Sequence, residues 1–327
     1  MHARSGPTGG SAYENDLESA LAGAFPLEVR NVYPGRFRAL PGRRLRPVLA
    51  GLRDPGWDLT LRTYLPALAL GLRRPRGRQV VLVHHLDHRE IPRAAVSRRL
   101  EALFARALPR ADRLVVVAEY WARALAPLAP DLPVTVIHNG FDVDEYGLAA
   151  DDRRAFREWM GFDDRPLVYL GNCQAAKGVV EAHRALRDSP YQLVTSGRRG
   201  VELPVPNLQL SARDYRSLLA ASDVVLAFSR FLEGWNRTAH EALLAGTPVV
   251  GRPRGGLAEL LAGAGQTTVE APEDLPRAVA AVLADRRALG ERGRAFARRF
   301  TRERFVQAWV ALVEEELAAL GDRTPAD

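Results

Sequence analysis

The sequence has 327 residues, of which 47% are hydrophobic and 26% charged, a globular composition with enough length for the cores of two domains. Its single cysteine, Cys173, excludes a disulfide scaffold and a multi-cysteine metal site. The longest apolar stretch, 65–72, stops at Arg73-Arg74, too short to span a membrane, and Met1-His2-Ala3-Arg4-Ser5-Gly6 lacks a signal-peptide core, so a cytoplasmic location is expected.

The net charge of +7 is unevenly divided: residues 1–145 hold 21 basic and 15 acidic side chains, residues 146–327 hold 25 and 24. The first half carries the clusters Arg43-Arg44-x-Arg46 and Arg73-Arg74-x-Arg76-x-Arg78. Such a surface attracts phosphate-rich partners, and peripheral contact with an anionic inner membrane face is one expectation. No aromatic-basic motif supports nucleic-acid binding. Of the 46 Lys and Arg residues a single one, Lys177, is lysine. In a chain that writes its other positive charges as arginine, a lone lysine points to a site needing a compact ammonium rather than a planar fork.

In chain order, apolar runs alternate with helical patterns. Strands are predicted at 27–32, 79–84, 113–118 and 133–138, with helices near 11–23, 60–72, 93–108 and 119–126. The Asn139–Gly147 stretch is a turn-rich boundary, and a helical pattern resumes at about Asp151. Strands follow at 166–171, 191–196, 207–210, 223–228, 247–251 and 266–269, and helices at 177–188, 213–221, 236–245, 255–262, 273–285 and 302–320. Ser211 is a helix start signal and Gly246 a stop. This alternation predicts an α/β protein with two Rossmann-like doubly wound domains facing one another, ligands binding at the carboxyl ends of the strands. The expected domains are 1–146, 147–301 and a C-terminal helix segment, 302–327, that is a candidate for crossing back to the first domain. Thr8-Gly9-Gly10 leads into the first helix, and Met1–Ser5 is too short and polar for a buried strand, so the first sheet is expected to lack its first strand.

Two stretches carry candidate chemistry. The strand at 166–171 runs into Gly171-Asn172-Cys173-Gln174-Ala175-Ala176-Lys177-Gly178 and a helix. A cation in a helix's first turn opposes the macrodipole unless an anion lies between the ammonium and the backbone N–H groups, as in phosphate sites. The second stretch, Ser229–Glu241, follows the strand at 223–228 and holds Glu233 and Glu241 eight residues apart, a rise of roughly 12 Å if both lie on a helix. That separation suits two hydroxylated rings joined by a diphosphate, with the amides of Trp235, Asn236, Arg237 and Thr238 facing the phosphates. After the strand at 79–84, His84-His85-Leu86-Asp87-His88 invites a metal reading, but adjacent strand residues face opposite ways and no further ligand cluster is evident. Asp142-Val143-Asp144 resembles the Asp-x-Asp with which a metal-dependent glycosyltransferase holds a divalent ion, and is read here as the interdomain turn. Cys173, Trp235 and Trp309 are read as packing residues.

Asn139-Gly140-Phe141-Asp142, Gly171-Asn172 with Lys177-Gly178, Glu233 with Glu241, and Gly246-Thr247-Pro248, Gly255-Gly256 and Glu259 resemble, taken together, the retaining GT-B nucleotide-sugar glycosyltransferases of glycosyltransferase family 4, the group 1 glycosyl transferases. The likeness is strongest over residues 134–262. It implies a GT-B fold and transfer of a sugar from a nucleotide-sugar donor to a glycan, lipid-linked or small-molecule acceptor, with retention and without a metal or other cofactor. It implies that Gly171, Asn172 and Lys177 meet the donor diphosphate, Glu241 the ribose and Glu233 the transferred sugar. Gly9 and Gly10 resemble the family's N-terminal glycine loop, and either His84 or His85 fills the place of a histidine facing the sugar and acceptor. Gly234, Trp235, Asn236, Arg237 and Thr238 would line the donor. Two departures stand out: Asn172 replaces the usual arginine, and Asn236 the second glycine of a Gly-aromatic-Gly turn. Arg237 is a candidate for the missing charge. A non-catalytic nucleotide-sugar binder and a metal-dependent enzyme using Asp142 and Asp144 are the alternatives.

Overall fold

A computed structural model describes residues 9–29, 52, 56–86, 94–147 and 150–321. Packing divides the chain into two units, Met1–Gly140 with Arg302–Asp327, and Phe141–Thr301. The division thus falls between Gly140 and Phe141 rather than after Tyr146. The local reason is that Phe141 already belongs to the second unit: its N–H donates to the Phe300 carbonyl and its ring stacks on His240 at 4.1 Å.

In the first unit helix α1 (Gly9–Ala22) precedes four parallel strands, β1 (Leu59–Thr63), β2 (Arg78–Val83), β3 (Arg113–Val116) and β4 (Val134–Val136), hydrogen-bonded in that order. Helices α2 (Ala94–Ala107) and α3 (Glu119–Leu125) lie on either side of β3 in the sequence. The residues before α1, where the missing first strand was expected, lie outside the described residues.

The predicted helix over 60–72 is corrected, because its first residues form β1. Leu59-Thr60-Leu61-Arg62-Thr63 alternates in burial and is rich in β-branched threonine, and Arg62, fully buried, gives its Nε to Gln79 Oε1 of β2 at 2.9 Å. Only two short helical turns, Tyr64–Ala67 and Leu68–Gly71, follow. The predicted strand over 27–32 is not formed at residues 27–29, and 30–32 lie outside the described residues.

The long helix Arg302–Gly321 belongs to the first unit and packs on α1. Trp309 donates its Nε1 proton to the Tyr13 hydroxyl (3.0 Å), which in turn donates to the Ile137 carbonyl (2.9 Å). Glu316 is completely buried and accepts from Arg78 Nε and Arg113 Nε, both at 2.7 Å. Arg78 also reaches Asp112 (3.2 Å), as does Arg74 (2.8 Å). Part of the basic run 73–78 is therefore turned to internal ion pairs, while Arg43, Arg44 and Arg46 lie outside the described residues.

In the second unit six parallel strands, β5 (Leu167–Asn172), β6 (Gln192–Ser196), β7 (Asn207–Leu208), β8 (Val224–Ala227), β9 (Val249–Gly251) and β10 (Thr267–Thr268), lie in the order β10-β9-β8-β5-β6-β7. The chain winds outward from β5 to β7, returns to the other side of β5 and winds outward again. The strands read as nearly continuous apolar runs because both faces are covered. On one face Val168, Leu170, Val224 and Leu226 pack with α5 (Val179–Leu186) and α9 (Leu275–Ala284). The other helices are α4 (Ala150–Trp159), α6 (Ala212–Ala221), α7 (Arg237–Leu244), α8 (Gly256–Gly263) and α10 (Arg286–Ala297); the first-unit helix Arg302–Gly321 completes the set as α11.

Helix α10 has no counterpart among the predicted elements, since its arginines, glutamate and two glycines blur an apolar stripe. Both glycines are buried and close against neighbours: a side chain at Gly290 would overlap the Gly246 carbonyl, and one at Gly293 would lie 2.6 Å from Leu243. With β6 and β8 on opposite sides of β5, the sheet has a topological switch point at the carboxyl ends of β5 and β8, the place where open α/β sheets bind ligands.

Removing the buried carboxylate of Glu316 would take from Arg78 and Arg113 the partner they share, leaving Asp112 to the one and Glu315 to the other. Glu316→Ala is expected to lower stability by about 3–5 kcal/mol, read as a fall in the urea unfolding midpoint of the transition that exposes Trp309.

Candidate functional site

The two strands at the switch point deliver the candidate residues. After β5 the chain makes a short 3-10 turn, Ala175–Lys177, and Gly178 in the left-handed region (φ 72°) starts α5. A side chain at 178 would overlap the Phe228 carbonyl beyond β8, so only glycine lets the two loops meet here. The Arg230 N–H donates to the Ala176 carbonyl (2.9 Å) and ties them together.

Across this contact the Lys177 ammonium sits 2.7 Å from Glu233 Oε1 and 4.7 Å from the centre of the Phe231 ring. Lys177 thus precedes α5 rather than standing in its first turn. Glu233 balances its charge, so the expectation that its position alone demands a bound anion is corrected.

Glu233 is only 6% exposed, and its Oε1 also accepts from Asn236 Nδ2 (3.1 Å) and from the Ser229 hydroxyl. It lies not on a helix but in the loop before α7, bridged to Gly255, so the helical rise anticipated between Glu233 and Glu241 does not apply. Gly255 (φ 65°) is the second position that only glycine fits, since a side chain there would overlap the Glu233 backbone.

Asn236 explains its own departure from glycine. Among the described residues it is the only non-glycine with positive φ (71°), a conformation asparagine tolerates. Its Oδ1 caps α7 by accepting from the Ala239 N–H (2.9 Å), while its Nδ2 holds Glu233. The backbone N–H groups of Arg237 and Thr238 head the helix, before the intrahelical ladder begins.

Glu241, one helical turn further, accepts from the Tyr146 hydroxyl (3.3 Å) and lies 3.7 Å from Arg237 Nε. The Arg237 guanidinium stacks over Phe141 at 4.6 Å, on the Glu241 side of α7. Thr238 accepts from the Tyr215 hydroxyl (3.1 Å), and Tyr169 bonds Ser196 (2.7 Å), forming a buried tyrosine layer beneath the site. Asn172, at the end of β5, takes a bond from Tyr169 on the β6 side (3.4 Å), next to Gly171 (φ 111°). Trp235, beside Gly234, is 3% exposed and donates to His240 Nδ1 (3.0 Å), whose Nε2 meets the Ala297 carbonyl (3.1 Å). His240 is thereby held as the neutral tautomer with its proton on Nε2, a packing histidine. The indole packs inward, leaving only the backbone of 235 for a ligand.

The second unit therefore brings Lys177, Glu233 and Asn236 together, with Arg237, Thr238 and Glu241 along the first turns of α7. Tyr146 and Phe141, both buried, hold Glu241 and Arg237 from beneath and were not anticipated; the aromatic residues flanking Asn139-Gly140 and the boundary were the available signal. Gly9, Gly10, His84 and His85 lie in the first unit. His84 stands edge-on to Tyr13 at 4.9 Å with its Nε2 3.5 Å from Glu14 Oε1, and Asp87 and His88 lie outside the described residues. Asp144 pairs with Arg298 (2.9 Å), and among the described residues no group of three or more His, Cys, Asp or Glu side chains is placed to hold a metal ion. Cys173 is buried, its thiol directed to the Val201 carbonyl.

Burial raises the hydroxyls of Tyr169 and Tyr215 above their ordinary value, and burial followed by the Glu241 charge raises Tyr146. The fold therefore favours the neutral forms. Their stabilisation is complete below the ordinary value of 10.0 and is lost as pH climbs above it. Alkaline titration followed by tyrosinate absorbance should show these three ionising only together with unfolding. Gly178→Ala is expected to cost about 2–4 kcal/mol and to loosen the Lys177 loop, checked by thermal unfolding.

Residues 9–145 match the family model for Glycosyltransferase Family 4, and residues 167–285 that for Glycosyl transferases group 1. The D-inositol 3-phosphate glycosyltransferase of Mycobacterium bovis is 32% identical over 171 residues, 45% of this chain and 35% of that protein. The chain thus matches about a third of the length of such curated relatives. Among solved structures, sucrose-phosphate synthase from Thermosynechococcus elongatus superposes with a TM-score of 0.77 at 19% identity, covering 95% of this chain and 94% of that one. Anabaena Alr3699/HepE in complex with UDP-glucose gives 0.73 at 20% identity, covering 96% and 98%. At these identities the likeness speaks for the fold. With two parallel α/β sheets, and with the two family models matched one to each unit, the protein has a GT-B fold and resembles glycosyltransferase family 4 and the group 1 glycosyl transferases.

Proposed function

We propose that this protein is a glycosyltransferase that takes a sugar from a nucleotide-sugar donor and transfers it with retention of configuration, without a metal. The observation that carries the reading is the meeting of Lys177 and Glu233 at the switch point of the second sheet, with Glu241 on α7, the helix that follows the Glu233 loop. In this reading a cation, a helix start and two carboxylates answer to the parts of an activated sugar: a diphosphate flanked by two hydroxylated rings.

In this reading the Lys177 ammonium and the N–H groups at the head of α7 neutralise charge as the sugar–phosphate bond breaks. Glu233 accepts hydroxyl protons of the transferred sugar, and Glu241, oriented by Tyr146, those of the ribose. Asn172 supplies no charge in place of the family's arginine, and Arg237 is the candidate substitute. Since Arg237 leans on Phe141 and Glu241, a donor ribose that engages Glu241 would compete for that carboxylate and release the guanidinium. Binding a UDP-sugar is a property of the HepE structure, and its extension to this chain rests on the shared fold. Acceptor handling falls, by resemblance, to the first unit, with Gly9, Gly10 and either His84 or His85 as its candidates. The acceptor is a glycan, a lipid-linked sugar or a small molecule, and peripheral contact with an anionic membrane belongs to the same proposal. No described helix is long and apolar enough to cross a membrane.

A panel of UDP-, GDP- and ADP-sugars tested by thermal shift is expected to yield at least one stabilising donor. Its turnover should survive a chelator; chelator-sensitive turnover would favour Asp142 and Asp144 as metal ligands, and binding without turnover a non-catalytic binder. Lys177→Ala is expected to lower kcat about 100-fold or more. Glu233→Gln removes the partner that holds the ammonium, so the free nucleoside diphosphate should bind several-fold tighter while kcat falls, a split read by product inhibition beside steady-state kinetics.

A further inference from the structure

The opposite end of the second sheet, where β8 and β9 begin, holds a cavity of about 300 Å³. Its walls include Arg153 and Arg157 of α4, Asp223 before β8, Gly246 and Thr247 after α7, and Arg286 at the start of α10. The charges there are unevenly matched. Asp223 serves both Arg157 (3.0 Å) and Arg286, and its Oδ2 also accepts from the Leu167 N–H (2.7 Å). Arg157 is further bonded to the Asp163 and Arg165 carbonyls (2.9 and 2.6 Å).

Arg153 has no such carboxylate. One Nη donates to the Ala245 carbonyl (3.3 Å), and its Nε is buried with no hydrogen-bond partner. Burial, with Arg286 and Arg294 nearby, lowers its guanidinium from the ordinary value. Among the described residues no acidic side chain pairs with Arg153 or Arg294. A half-buried guanidinium beside other cations, with an orphaned donor, is unfavourable unless an anion completes it, and arginine forks match phosphate oxygens.

We propose that this cavity binds a small phosphate-bearing anion at its Arg153 end, at a site separate from the one around Lys177. The volume lies at the lower end of small-molecule pockets, and Glu158, Asp163 and Asp164 on the remaining wall repel a second anionic group. The ligand is therefore a compact phosphate, either free or esterified to a neutral hydroxylated body, rather than a long polyanion. Helix α7, which carries Glu241, ends at this cavity through the Ala245 carbonyl, so the two sites share one helix.

Calorimetric titration with inorganic phosphate and with glucose 6-phosphate tests the site in a Lys177→Ala background, which removes the donor-site cation. Both probes are expected to bind, and Arg153→Ala added to that background should weaken them at least tenfold, with Arg294→Ala weakening them less. Arg153→Lys should restore part of the affinity and guards against loss of fold, which circular dichroism monitors. Tighter binding of the ester names a phosphate monoester as the ligand, and equal binding names free phosphate. The site is overturned if neither probe binds, if Lys177→Ala alone abolishes binding of the wild-type protein, or if the folded Arg153→Ala variant binds both probes as before.

Discussion

The candidate site hangs on the ion pair between Lys177 and Glu233. Each partner comes from a loop at the carboxyl end of a different strand, and those strands, β5 and β8, are parallel neighbours only because the strand order reverses there. Asn236, Ser229 and the Phe231 ring converge on the same pair, so the loop before α7 takes its shape from the charge it must accommodate. A lysine placed this way is held without a ligand, and a diphosphate would have to compete with Glu233 for it.

Backbone geometry makes the pair attainable. Gly178 brings the β5 loop against Phe228, and Gly255 brings the chain after β9 against Glu233. Asn236 does what glycine would do for the turn and adds an acceptor for the helix start and a donor for the carboxylate. Tyr215 ties to α7 through Thr238 and packs edge-on against buried Tyr169, and Glu241 faces Tyr146 and Arg237 from the same helix.

Much of this was legible in the residues. The apolar runs at 166–171 and 223–228 marked the strands that flank the switch point, and the lone lysine beside Gly178 marked the loop. Spacing misled where it assumed regular geometry: Glu233 and Glu241 look like two turns of one helix, yet the first lies in a loop that must bend back to reach Lys177. Strand β1 was hidden for a related reason. Its leucines and the apolar residues of 64–72 merge into a helical period, and only the partner strand β2 decides the matter by burying Arg62 against Gln79. Helix α10 escaped because close packing replaced its apolar stripe with glycines.

The clamp on Glu316 bears on the order in which the protein assembles. The first unit is discontinuous in sequence, and its β2 and β3 carry Arg78 and Arg113, whose shared carboxylate arrives only with α11. During synthesis the whole of the second unit emerges before that helix does. The N-terminal sheet must therefore wait with Arg113 lacking both of its carboxylates, Arg78 holding Asp112 alone and Tyr13 uncovered, while the later-made unit is free to fold at once. For this chain the usual amino-to-carboxyl sequence of domain maturation is inverted, and the last helix acts as the closing clasp.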